Sequence, residues 1–210
     1  NKEKLKIKRI SIMNANFNLQ KNDFNFLDNL FNNKFSKKKM IIKKSNIFFK
    51  DNDNEIVAIF KISKGSLFYD SEDLSNAILF KGEAFNVPFN FKMIKDPSVT
   101  GNTITEIKAK KLKIKFINKS KKISTEVTKG INQLFFKETK LKTNYEKQKN
   151  VFTFESKYSQ LKNSNIDYLG KLILAPFSLK LDINVDEIKF KPFLKNESTF
   201  LEFFKNKFMF

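Results

Sequence analysis

The chain of 210 residues contains no cysteine, no histidine and no tryptophan, and only five glycines and four prolines. Without Cys and His there is no thiol nucleophile, no Ser-His triad and no ligand set of the kind that holds zinc or an iron–sulfur cluster. No disulfide framework is possible, which leaves the redox compartment open. No apolar run approaches the ~20 residues of a membrane-spanning helix; the best candidate, "LILAPFSL" from Leu172, is far too short. Arginine is nearly missing too, Arg9 being the one example among 41 Lys+Arg. A formal net charge of +19 would ordinarily suggest nucleic acid or an anionic membrane as partner. Dedicated phosphate readers favour the bidentate fork of Arg, however, and the wealth of Lys, Asn, Ile and Phe fits codons drifting toward A and T. Nucleic acid is therefore not the expected partner. The chain starts at Asn1 without an initiator Met or a secretory signal, and is expected to be a piece of a longer or processed protein.

What the sequence does contain is period two. Phe85, Val87, Phe89, Phe91 and Met93 alternate with Ala84, Asn86, Pro88, Asn90 and Lys92. Ile173, Ala175, Phe177, Leu179, Leu181, Ile183 and Val185 alternate with Ser178, Lys180, Asp182 and Asn184. Leu112, Ile114 and Phe116 stand against Lys111, Lys113 and Lys115. Such alternation marks strands with one dry and one wet face, because successive side chains point to opposite sides. Further strands are expected over Met40–Lys50, Glu55–Ser63, Ser66–Tyr69, Ala77–Phe80, Lys121–Thr128, Gln133–Tyr145 and Val151–Tyr158, and near the start from Leu5 and Ile7 to Leu19. Polar clusters such as "KDNDNE", "YDSEDLSN" and "KDPSVTGN" separate them as turns. Two segments have helical rhythm. One follows a possible cap at Asp23; the other, from Ser198, has a Thr199-x-x-Glu202 capping box.

Candidate acids are Asp51, Asp53, Glu55, Asp70, Glu72 and Asp73, all in polar turns. "DNDNE" lacks the glycine and the later Glu of a calcium loop, and "KGS" at Lys64–Ser66 lacks the glycine-rich run of a phosphate loop. No paired carboxylates stand out, so no catalytic residue, metal or cofactor is expected.

One motif is written twice. "GEAFNVPFNFKM" from Gly82 and "GKLILAPFSLKL" from Gly170 share Gly, five residues, Pro-Phe and an alternating tail, 88 positions apart. "FFK" at Phe48–Lys50 returns at Phe135–Lys137, and Tyr69 and Tyr158 fit the same frame. The reading is a single β-rich domain over 1–210 with two internal repeat units, at about 40–118 and 127–191. Each copy of the motif reads as one long strand, with Pro88 and Pro176 either kinking it or marking a sheet edge.

With 26 Phe set mostly on single faces of long strands and few helices to cover them, the apolar faces must meet something. A second sheet would make a β-sandwich, a structural or adhesive module. A single curled sheet would leave an apolar trough suited to acyl chains. The segment "SNIFFKDNDNEIVAIFKISKGSLFYDSEDLSNAILFKGEAFNVPFNFKM" resembles the repeating units of the AsmA-like family, and so does "LGKLILAPFSLKLDINVDEIKFKPFLKNESTFLEFF". The shared pattern is an apolar strand, an acidic turn, a paired strand and a glycine-led strand, over about two thirds of the chain. No anchor helix is present, and "DNLFNN" has no counterpart in the pattern. The resemblance implies a β-groove protein of the envelope of diderm bacteria, periplasmic and anchored in the inner membrane, implicated in phospholipid transport toward the outer membrane.

The expected fold is all-β: an elongated, curled, mostly antiparallel sheet of long strands, a groove or half-barrel, with one or two short helices. The expected role is non-enzymatic binding or conduction of phospholipid acyl chains. The expected groove lining is Phe85, Val87, Phe89, Phe91, Met93, Leu112, Ile114, Phe116, Ile173, Phe177, Leu179, Leu181 and Ile183. Expected partners are the acyl chains, a membrane reached through an anchor outside this chain, and further β repeats of a parent protein. The alternatives are the β-sandwich module and a basic nucleic-acid-binding β domain, the latter needing aromatics interleaved with Lys, whereas by pattern Phe and Lys take opposite parities.

Overall fold

The computed structural model describes residues 10–20, 22–98, 101–162 and 164–186, with main chain only for 24–28. The expected strand from Leu5 and Ile7, up to Arg9, and the expected helix from Ser198 lie outside these residues. Thirteen strands form one open, curled sheet. They are β1 (Ile10–Met13), β2 (Asn16–Leu19), β3 (Met40–Lys50), β4 (Ile56–Asp70), β5 (Ser75–Ala84), β6 (Val87–Lys95), β7 (Asn102–Ala109), β8 (Ile114–Lys122), β9 (Val127–Phe136), β10 (Thr139–Gln148), β11 (Val151–Leu161), β12 (Ser164–Leu174) and β13 (Phe177–Val185). From β3 onward each strand pairs antiparallel with the next. β1 and β2 both pair with β3, in parallel. A parallel neighbour requires a crossover, and helix α1 (Asp23–Asn32) supplies it. Asp23 is the first residue of the helix and not its cap; its carboxylate accepts the Gln20 N–H at 2.7 Å. The all-β, curled, mostly antiparallel architecture expected from alternation is the one observed, with α1 and a 3-10 turn at Lys110–Leu112 as its helical parts.

The repeated motif is built differently from the long strand expected. In the first copy Ala84 pairs with Val87, so Phe85 and Asn86 form a two-residue turn, both with positive φ, 50° and 62°. That is the type I′ geometry whose twist suits a hairpin. Gly82 lies near the end of β5, and Pro88 is the second residue of β6. Because the pair flanking a two-residue turn exchanges both main-chain hydrogen bonds, the next pair, Glu83 and Pro88, points its N and O atoms outward. β7 joins β6 only from Asn90 onward, so the missing proline N–H leaves no ladder acceptor unfilled. In the second copy the turn is Ala175–Pro176, through a cis peptide bond, between Leu174 and Phe177. The turn has moved two positions along the motif, and with strict antiparallel order β12 runs opposite to β5. The two tyrosines also differ, Tyr69 being buried and Tyr158 77% exposed.

Cross-strand partners share a face, so register assigns every side chain to one of two surfaces. One face carries Ile42, Ile62, Tyr69, Ile78 and Ala109, five of the six buried hydrophobic residues, and also the buried Ser45, Asn76, Ser156 and Ser159. All four glycines within strands, Gly65, Gly82, Gly130 and Gly170, lie on it as well. Crowding of this kind marks the inside of the curl. At Gly65, Gly130 and Gly170 the missing Cβ gives way to the rings of Phe80, Tyr145 and Phe154, each within 2.7 Å of where it would stand. The other face is the lysine-rich outside, with Lys61, Lys81, Lys92, Lys119, Lys121 and Lys129 all exposed. It also holds Phe48, Phe68 and Phe135, so the expected separation of Phe from Lys is incomplete.

Candidate functional site

The inner face is a wall whose chemistry changes in rows running across the strands. Ile42, Phe80, Phe91, Ile107, Phe116, Leu134 and Leu141 follow one another at successive register positions from β3 to β10, with Gly65 between the first two. Ser159, Ile166 and Val185 continue the row to β13. Eleven strands at about 4.8 Å per spacing make this apolar lane roughly 50 Å long. A second apolar row, through Ile62, Gly82, Phe89, Ala109, Ile114 and Phe136, runs beside it. Ring contacts tie strands together along the wall: Phe60 with Phe89 at 6.5 Å, Phe80 with Phe91 at 6.0 Å, and Phe154 with Tyr168 at 6.4 Å between centroids.

On the other side of the lane the wall turns polar in its middle. Met93, Thr105, Asn118, Asn132 and Thr143 form the next row. Side-chain hydrogen bonds link several of its polar groups to one another and to neighbouring tyrosines. Asn118 Nδ2 donates to Asn132 Oδ1 at 2.7 Å and to the Tyr145 hydroxyl at 2.8 Å, and the Thr143 and Tyr168 hydroxyls are bonded to each other. Beyond it come Lys95, Thr103 and Ser120, then Lys122, Thr128 and Lys147 at the rim. Toward β13 the same rows become apolar again, with Phe152, Phe154, Leu172, Leu179 and Leu181.

Over β4 and β5 the chain from the end of α1 lies on the wall. Buried Asn76 holds it there. Its Oδ1 accepts the Phe35 N–H at 2.8 Å, and its Nδ2 donates to the carbonyls of Asn33 at 2.8 Å and Phe31 at 3.2 Å. Ser36 O accepts the Tyr69 N–H at 2.9 Å. Elsewhere no second layer covers the described wall. Apart from the 3-10 turn, substantial packing between elements among the described residues occurs only between ladder neighbours.

Of the expected lining residues, Val87, Phe89, Phe91, Met93, Ile114, Phe116, Phe177, Leu179, Leu181 and Ile183 all stand on this inner wall. Three do not. Phe85 is in the hairpin turn and 47% exposed, because the ladder closes at Ala84 and Val87. Leu112 ends the 3-10 turn, ahead of Lys113 with φ 54°, and β8 begins only at Ile114. Ile173 faces outward opposite Ser178, because the turn at Ala175–Pro176 sets Leu174, not Ile173, on the side of Phe177. The alternating pattern does not single out Phe80, Leu134, Leu141, Phe152 and Phe154. Phe80 is hidden in the unbroken run Ala77–Phe80. Leu141 and Tyr145 do alternate with Lys140, Lys142 and Asn144, a usable signal within a span that reads as a single strand.

Asp51 Oδ1 accepts the N–H groups of Asp53 and Glu55, both at 2.9 Å, and Asp70 Oδ1 accepts that of Glu72 at 3.0 Å. These carboxylates shape turns. Among the described residues no group of acidic side chains is arranged to hold a metal ion, and no helix is long and apolar enough to cross a membrane. Comparison with protein-family models, with curated proteins and with solved structures gives no match for this chain.

Proposed function

We propose that the chain binds phospholipid acyl chains along its inner wall, without catalysis, and lets them slide from one edge of the sheet toward the other. The observation that carries this reading is the apolar lane of Phe80, Phe91, Phe116 and Leu134, which runs across the sheet with no second layer packed over it among the described residues. Hydrocarbon transferred from water to such a wall gains about 0.8 kcal/mol per buried CH₂. A mixed run of aromatic and aliphatic residues gives no single deep seat, which suits movement over storage. β13 supports a role within a longer assembly: Phe177, Leu179, Leu181 and Ile183 are 76%, 52%, 43% and 55% exposed on the last strand of the sheet among the described residues, where a further β unit of a parent protein would extend the lane. The periplasmic setting, the inner-membrane anchor outside this chain and the role in envelope biogenesis are proposed from the AsmA-like resemblance.

The test is mass spectrometry of organic-soluble material from the purified chain. Wild type is expected to carry phospholipid, Phe91→Glu to lose most of it, and Ile104→Glu, on the outer face, to keep it. A folded wild type free of lipid, or equal loss in both variants, would overturn the reading. The single sheet weighs against the sandwich alternative. For nucleic acid, the favourable observation is that Lys39 stands 4.4 Å above the Phe68 ring and Lys115 5.9 Å above that of Phe135 on the outer face. Salt-dependent binding of single-stranded DNA, abolished by Phe68→Ala with Phe135→Ala, would favour that reading.

A further inference from the structure

On the polar side of the lane, beneath the end of α1, the inner wall forms a cavity of about 600 Å³. Phe31 and Met93 make its apolar side, and Met93 stands in the row next to the lane, so hydrocarbon and cavity are contiguous. Thr103, Ser120 and Thr128 supply hydroxyls. Lys95, Lys122 and Lys147 enter from β6, β8 and β10, all on the inner face, where the rest of the wall is apolar or neutral. Lys149 and Glu126 also line it, as an ion pair at 3.4 Å. Lysines are common on this chain, but they belong overwhelmingly to the outer face. Three on the inside, from three different strands and meeting at one cavity, are a departure from the binary pattern that the sheet otherwise keeps.

We infer that this cavity seats the phosphate head of a lipid whose acyl chains lie in the lane, an inference that rests on the acyl-chain reading above. The chemistry fits a phosphate monoester or diester. Ammonium groups and hydroxyls are its usual donors. The apolar side at Phe31 and Met93 leaves space for the glycerol backbone on the way to the lane. Such a seat makes the wall polar in one sense, with heads on the Lys95–Lys122–Lys147 side and tails on the Phe80–Phe91–Phe116 side.

The experiment uses the whole chain and three probes: dihexanoyl phosphatidic acid, dihexanoyl glycerol, which has the same tails without phosphate, and glycerol 3-phosphate. The variants are the inner set Lys95→Gln, Lys122→Gln, Lys147→Gln and an outer set of equal charge change, Lys119→Gln, Lys121→Gln, Lys129→Gln, each checked for unchanged thermal unfolding. The inner set is expected to weaken phosphatidic acid at least tenfold while leaving dihexanoyl glycerol within twofold, and the outer set to leave both unchanged. Equal weakening by both sets means diffuse charge attraction and overturns the seat. No weakening by the inner set overturns it while the acyl reading stands. Binding of neither lipid by wild type sinks the acyl reading and, with it, the lipid head. If glycerol 3-phosphate then binds and the inner set abolishes it, the cavity takes a free phosphate ester instead. Glycerol 3-phosphate binding as tightly as phosphatidic acid likewise assigns the cavity to a free ester and overturns the lipid head.

Discussion

A β-carbon on Gly82 would stand 2.3 Å from the main-chain carbonyl oxygen of Lys61 on the neighbouring strand. The two strands come this close where the β4–β5 register shifts, between Ile62 and Lys64. Carbonyl and ladder have nowhere to go, so Gly82→Ala is expected to destabilise the chain by about 2–3 kcal/mol. Gly65→Ala meets the Phe80 ring instead, a side chain able to turn, and should cost only about 1 kcal/mol. Urea midpoints of the two variants check the ranking; the reverse order would show that the close approach is not what fixes Gly82.

Asn76 uses one acceptor and two donors to hold residues 31–35 on the inner wall. Asn76→Ala strands three main-chain groups and is expected to cost about 2–3 kcal/mol. Asn76→Asp keeps the acceptor but loses both donors, and should be no better. Amide exchange at residues 31–36 is expected to rise well before exchange in β8–β10 does.

The hairpin at Phe85 and Asn86 requires two left-handed residues. Asn86→Gly is expected to stabilise by about 0.5 kcal/mol, and Asn86→Val to destabilise by about 1–2 kcal/mol, since a β-branched residue is poorly tolerated at positive φ. On the acyl-chain proposal neither should change lipid content, because the turn lies outside the lane.

Glu106 sits on the outer face with Lys108 Nζ at 2.7 Å and Lys115 Nζ at 3.6 Å. The hydrogen bond from Lys108 is the main cause that holds its carboxyl below the usual glutamate value, outweighing the opposing effect of burial. A depressed carboxylate stabilises fully above its unfolded pKa, ~4.3, and that stabilisation fades as pH falls through the lower folded value. The stability gap between wild type and Glu106→Gln, under about 1 kcal/mol for so exposed a pair, should therefore be constant near neutrality and close below about pH 4. A gap unchanged at acid pH would exclude the ion pair as its source.

Alternation makes the all-β class and most of the wall legible, and β3 has the bounds expected of it, Met40–Lys50. Turns are the hidden part. Lys137, with φ 52°, opens the β9–β10 hairpin inside a span that reads as one strand, and Phe85 does the same in the first motif. Neither Lys nor Phe announces a left-handed turn as Gly or Asn does. The opposite holds at Gly65, which reads as a break between Glu55–Ser63 and Ser66–Tyr69. That glycine is inside a single strand, β4, making room for the Phe80 ring. Lys121–Thr128 reads as a strand, but it contains the β8–β9 loop, closed by Ile123 N–H to Val127 O at 2.8 Å. The inner lysines are missed for a related reason: Lys122 falls in a span that reads as a different strand from Phe116, and only the register puts Lys147 on their face.

From β3 to β13 the sheet never takes a strand out of turn. Growth is therefore modular: inserting or deleting one hairpin lengthens or shortens the sheet by two strand widths, roughly 10 Å, without re-threading anything else. Span becomes a countable property, written as a number of hairpins. A protein of this design changes its reach by duplication alone.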